Sequence, residues 1–336
     1  ARVECNNLSF WPAAPFLMMS MLSLLRLPHR RLATRELLAC YCHSRAMSAL
    51  PLYQVDSFSS KPFAGNPAAV CLLESQPSGG WPLSDQTLLK IAAENNLSET
   101  AFLLPAPSST SPTPFENDSH FDLRWFTPTK EVDLCGHATL ATAAVLIQKY
   151  GNKNSLLHFA TKSGELIAGT LPGTDAIEIE LPLNPPLPVE QFSSSIQTLI
   201  DLVLGVNNEQ AVKDIMYSER TKKLVFELDS SIVDRKFLES LVVSPSALLG
   251  VDQSDRGTST ITGVIVTMTD DTKQYDFISR YFAPWNGIDE DPVTGSAHTV
   301  ISPMWTNKMN GQTKFSARQC SPRGGDLGLE VDMAGG

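Results

Sequence analysis

The sequence has no Cys-x-x-Cys pair, no glycine pattern of the dinucleotide-binding or Walker type, and no long apolar run. Its six cysteines are scattered, which excludes a disulfide framework and fits a reducing compartment. The most apolar stretch, 16–25, is about half the roughly 20 residues that span a bilayer, and Ser20 and Ser23 interrupt it. Without a glycine fingerprint no nucleotide cofactor is indicated. Cys135 and His137 alone are too few ligands for a metal, so neither metal nor cofactor is expected. Basic residues are in deficit as well, 26 Lys and Arg against 36 Asp and Glu, for a net charge of −10. An acidic body argues against nucleic acid and anionic membrane as partners, while a small anionic metabolite stays open, because local dipoles can outweigh net charge.

The charge is unevenly spread. Residues 1–46 hold six Arg and no Lys against Glu4 and Glu36, with Ser and Leu between them. That composition is that of a disordered or transit-like extension, which would direct an otherwise cytoplasmic protein to mitochondria. Met47 is the alternative start. The globular body follows, with 42% hydrophobic residues overall, and its length allows two domains. Pro182-Leu183-Asn184-Pro185-Pro186-Leu187-Pro188 cannot continue a helix or an inner strand. It divides an N-terminal domain, 48–183, from a C-terminal domain, 184–336, whose last strand is expected to be cut short.

Each domain carries the same signature. Phe121-Asp122-Leu123-Arg124-Trp125-Phe126-Thr127-Pro128 returns 156 residues later as Phe277-Ile278-Ser279-Arg280-Tyr281-Phe282-Ala283-Pro284. Each copy is strand-like, leads through an acidic loop, and enters a helix at Gly136-His137-Ala138 or Gly295-Ser296-Ala297. The period is too long for a solenoid and indicates two similar domains. Their helix N-termini, rich in free N–H groups and positive in potential, are expected to meet at the interface and bind an anion. The first helix is expected over 139–150. Pro303 is expected to kink or shorten the second.

Glu99 is the one charged residue between Glu94 and Glu116. A carboxyl among uncharged neighbours acquires a raised pKa and can carry a proton near neutrality, whereas a solvated strand-end Glu could not. Asp291 either pairs with a substrate amine or hydroxyl or caps the helix behind it. Ser296 and His298, two apart on a helix, point to different faces and make no nucleophile–base pair.

Five motifs in order resemble the phenazine biosynthesis-like (PhzF) family. They are Gly65-Asn66-Pro67-Ala68-Ala69-Val70, Asn96-Leu97-Ser98-Glu99-Thr100-Ala101-Phe102, Arg124-Trp125-Phe126-Thr127-Pro128, Leu134-Cys135-Gly136-His137-Ala138-Thr139-Leu140-Ala141 and Glu290-Asp291-Pro292-Val293-Thr294-Gly295-Ser296-Ala297-His298. The resemblance runs from about residue 52 to the C-terminus. It implies an α+β diaminopimelate-epimerase-like fold of two pseudo-symmetric domains, each a curved sheet around a central helix, and a homodimer. It also implies a cofactor-independent isomerase that moves a proton on a small carboxylated, cyclic or amino-acid-like metabolite. Glu99 matches the general acid/base; Asn66, Gly136, His137, Asp291, Gly295 and Ser296 match the substrate-binding groups. A two-cysteine racemase is not implied, since Cys135 has no cysteine counterpart in the second copy, and Cys135 is expected to be a bystander. The alternative is a catalytically silent member of the fold that acts through protein partners, which predicts an exposed or salt-bridged Glu99.

Overall fold

The structure is a computed structural model that describes residues 2–5, 9–11, 50–76, 79–256 and 259–333. In the first half, Leu52–Ser57 pairs antiparallel with Asn66–Leu72. The helix Asp85–Asn95 crosses the outer face and returns the chain as Glu99–Pro105, parallel to Asn66–Leu72. His120–Phe126 adds antiparallel, and the chain then dives into a central helix, Gly136–Ala144. Leu156–Thr161 emerges parallel to His120–Phe126 and turns into Gly164–Thr170. The second half repeats the order. Val212–Ser218, Lys223–Leu228, Gly263–Thr269 and Phe277–Ala283 precede a central helix, Gly295–Lys308, and Lys314–Gln319 and Gly325–Glu330 follow it. The same parallel and antiparallel pairings recur.

Each outer helix has a local cause. Ser84 caps Asp85–Asn95 by accepting from the Thr87 N–H, and Asn96 closes it in the left-handed conformation. Each central helix is packed against its own half's strands, so it is buried nearly all round rather than on one face. All nine residues of Gly136–Ala144 are buried, and alanine keeps the approach close. Its hydroxyls are satisfied within the helix: Thr139 donates to the Cys135 carbonyl and Thr142 to the Ala138 carbonyl, both at 2.7 Å. The helix begins at Gly136, earlier than the expected 139, and passes at Val145 into a wider π turn that ends at Lys149.

Pro303 neither stops nor shortens the second central helix, which continues to Lys308. The ring frees the carbonyl four residues back, that of Thr299. Asn184, from the proline-rich connection, fills the vacancy: its N–H donates to the Thr299 carbonyl at 3.0 Å and its side chain to the Thr299 hydroxyl at 2.9 Å. The helix breaker thus becomes the docking point for the crossing between halves.

The repeated signature is an ion pair made twice. Arg124 grips Glu131 at 2.6 and 2.8 Å, and Arg280 grips Glu290 at 2.7 and 2.7 Å. Each pair ties the strand to the short segment that feeds the central helix. Within residues 1–46, Arg2–Cys5 forms a strand between Ile177–Glu180 and Gly325–Glu330, with Val3 buried, and Ser9–Trp11 pairs with Leu52–Ser57. The expectation of a disordered or transit-like extension thus meets strands in these two pieces; the rest of 1–46, and Met47 after it, lie outside the described residues.

Candidate active site

The two central helices meet end to end. A Cβ built on Gly136 would lie 3.9 Å from the Cα of Gly295, and the reverse is equally true. Leu181 packs its Cδ1 3.3 Å from both positions, so glycine at each helix start lets the two positive ends come together. The expected meeting of the N-termini is found here, in the seam between the halves.

Glu99 opens its strand beside this seam and is 7% exposed. The solvated alternative is excluded. Burial pushes its carboxyl up to about 8, with the charge of Asp291 adding to the rise and a hydrogen bond with Cys135 opposing it. His137, on the first turn of the first central helix, brings Nε2 to 3.2 Å from Oε2 of Glu99. Burial takes His137 down to about 3. At neutral pH the contact therefore joins two uncharged groups, and it is too poorly angled for a hydrogen bond.

Asn66 and Asp291 join the halves. The Asn66 amide donates to Oδ1 of Asp291 at 2.7 Å and to the Val293 carbonyl at 2.9 Å, and its nitrogen lies 3.3 Å from Nδ1 of His137. Asp291 is buried and raised to about 6 by that burial, against hydrogen bonds from Thr294 and Asn66 and the charge of Lys223. Thr294 donates to its Oδ2 at 2.5 Å. Gln319 donates to the Asp291 carbonyl at 2.6 Å and accepts from the Thr294 N–H at 2.8 Å. Ser296 is half-buried at the start of the second helix, in the place His137 takes in the first. His298 turns inward, with Nδ1 2.8 Å from the Thr294 carbonyl and its ring stacked on Phe277.

The structure thus gathers Asn66, Glu99, Gly136, His137, Asp291, Gly295 and Ser296 around one seam. Cys135, expected as a bystander, is buried against this group: Sγ lies 3.5 Å from Nδ1 of His137, and burial and the Glu99 charge hold its thiol far above its usual range. Gln319 was missed by sequence reasoning. It arrives on the strand after the second helix, outside every motif, and nothing in its surroundings marks it.

Three buried atoms of the site have no hydrogen-bond partner among the described residues: Oδ1 of Asn66, Oε2 of Glu99 and Nε2 of His137. Native proteins rarely leave such atoms unpaired, and a ligand in the seam would pair them. Glu99, Cys135 and His137 also present O, S and N donors within 4.8 Å of one another. The helix ends and the Asn66 amide surround that trio with positive partial charge, which favours an anion there over a cation. Among the described residues no helix is long and apolar enough to cross a membrane.

Two matching halves, each a sheet around a central helix, with a buried carboxyl in the seam between them, make an epimerase-like fold. The phenazine biosynthesis-like protein family model, PhzC-PhzF, matches residues 55–335, and the chain belongs to that family. It is similar to a phenazine biosynthesis-like domain-containing protein of Rattus norvegicus, 46% identical over 297 residues, covering 85% of this chain and 96% of the relative. An uncharacterized isomerase of Pseudomonas aeruginosa is 38% identical over 282 residues, covering 84% and 91%. A PhzF-family crystal structure from Enterococcus faecalis aligns with TM-score 0.66 at 36% identity, covering 84% of this chain and 92% of that one.

Proposed function

We propose that the protein is a cofactor-independent isomerase that moves a proton on a small carboxylated metabolite, cyclic or amino-acid-like. The observation that carries this reading is Glu99, buried beside two converging helix N-termini with its carboxyl pushed up to about 8. A group of that pKa supplies both acid and base forms near neutrality. As carboxylate it takes a proton from a substrate carbon; as acid it returns that proton to another position. The helix ends bind the acidic group and stabilise negative charge that develops on the carbon framework. His137, Asn66 and Asp291 orient the substrate, and the neutral imidazole adds no competing charge. The burial of Glu99 favours this reading over a silent scaffold, which has no use for a buried ionisable carboxyl.

The test is solvent-deuterium incorporation into a panel of cyclic and amino-acid carboxylates, read by mass spectrometry. Wild-type protein incorporates deuterium into at least one compound and Glu99→Gln does not. Equal incorporation by the variant removes Glu99 from the mechanism, and none by wild type removes the isomerase reading.

A further inference from the structure

The two halves can be superposed residue by residue through their ladders. In the first, Glu99 pairs in parallel with Ala68, and Thr100 faces Phe126. In the second, Gly263 pairs in parallel with Lys223, and Val264 faces Phe282. Phe126 and Phe282 are the same position of the repeat, so Gly263 answers to Glu99 and Lys223 to Ala68. The second half therefore lacks the carboxyl. It has no room for one either, because a Cβ on Gly263 would fall 2.4 Å from the Tyr281 hydroxyl. It carries instead a cation on the neighbouring strand, at the same level and on the same face of the sheet.

That cation has no evident structural reason. Lys223 is 7% exposed, and its charged neighbour is the Asp291 carboxylate. The nearest aromatic is Tyr281, whose ring centre is 5.6 Å from Nζ. A cation–π contact of that kind uses the ring face and leaves the ammonium's N–H groups open to an acceptor. Asp291 is the shared neighbour: its charge acts on Lys223, on Tyr281 and on Glu99. The internal two-fold places Lys223 beyond the helix–helix contact from Glu99, next to the start of the second central helix.

We propose that Lys223 is a substrate-binding residue that receives an acidic group of the substrate, opposite the proton carrier Glu99. An anion there is met by the ammonium and by the N–H groups of the Gly295 helix start together, on the side of the lysine that Asp291 does not occupy by a direct contact. The substrate class narrows accordingly, to compounds whose acidic group sits across the ring or chain from the carbon that exchanges its proton. This assignment rests on the isomerase reading of the seam.

The experiment uses malonate as the probe, with the intact protein. Calorimetric titration of wild type is compared with Lys223→Met, and the wild-type Lys223 side chain is followed by NMR with selectively labelled lysine, the variant providing its assignment. Malonate affinity is expected to fall about tenfold or more in Lys223→Met. Bound malonate is expected to raise the titration midpoint of the Lys223 amine by roughly one pH unit, the reciprocal of the same coupling. Lys223→Arg, which keeps the charge, gives the same assignment by loss of the lysine signal, so a destabilised Lys223→Met leaves the question decidable. An unmoved Lys223 signal in malonate-saturated wild type overturns the assignment, as does wild type that binds no malonate. Binding that moves Lys223 in a protein that exchanges no substrate deuterium upholds the assignment and sinks the isomerase reading instead.

Discussion

The amide nitrogen of Asn66 stands 2.7 Å from a carboxylate oxygen of Asp291, 225 residues further along the chain. One side chain thereby fastens the first half to the second inside the site. Asn66→Ala leaves the buried Asp291 oxygen without its donor, and a buried unpaired acceptor costs about 1–3 kcal/mol. Urea denaturation is expected to show that loss, with Asp291 titrating above its present value of about 6 because an opposing hydrogen bond is gone. A variant as stable as wild type would show that the contact does not join the halves.

Glu99 makes stability depend on pH in an unusual direction. Its folded-state value, about 8, lies above the ordinary 4.5, so between these limits the native state keeps a proton that the unfolded chain releases. Stability is therefore present below about pH 4.5 and lost as pH rises toward 8. Glu99→Gln removes the term: the variant is expected to be more stable than wild type at pH 8 and to gain less at pH 5. His137 works oppositely. Held down to about 3 from 6.5, it withdraws stability as pH falls through that window, so His137→Asn flattens the acid limb. Thermal melts from pH 4 to 9 read both.

The two copies of the Arg–Glu pair are unequal. Arg280 has a 5% exposed side chain and also donates to the carbonyls of Leu238, Glu239 and Leu241, closing the end of an outer helix. Arg124 is 13% exposed and shares itself with the solvated Asp85. Arg280→Met is expected to cost roughly 3 kcal/mol, since it strands Glu290 and three carbonyls, and Arg124→Met about half of that. Equal urea midpoints for the two variants would contradict this ordering.

Gly65 precedes the site with φ +71°, and a Cβ there would lie 2.0 Å from the Ser57 carbonyl oxygen. Its N–H donates across the halves to the Gly324 carbonyl at 2.7 Å. Gly65→Ala combines backbone strain with a collision against main chain, and is expected to cost about 3 kcal/mol and to displace Asn66. The checks are denaturant unfolding and, once a substrate is found, a drop in turnover larger than that from a surface Gly79→Ala control.

Much of this architecture was legible in the chain. Arg, Phe and Pro at fixed spacing announced the repeat because a bidentate ion pair and a tight exit turn tolerate few substitutes. Glu99 stood out through the lack of other charge around it. Three features resisted. Lys223 sits beside Lys222, and the pair looks like a solvated charge run; Lys222 ends the turn in the left-handed conformation and reaches Glu219, while Lys223 opens the strand and is buried. Gln319 acts through a contact made only in three dimensions. Pro303 is a breaker by local rules, and the partner that neutralises it lies across the molecule at Asn184.

The head-on contact of Gly136 with Gly295 has a further cost. Two helix dipoles there point their positive ends at each other, so the fold carries a like-charge conflict at its centre. An anion lodged between them cancels it and acts as mortar between the two lobes. Occupancy and cohesion are then one equilibrium: each acidic ligand that fits should slow amide-hydrogen exchange at both helix starts together, far beyond the groups it touches.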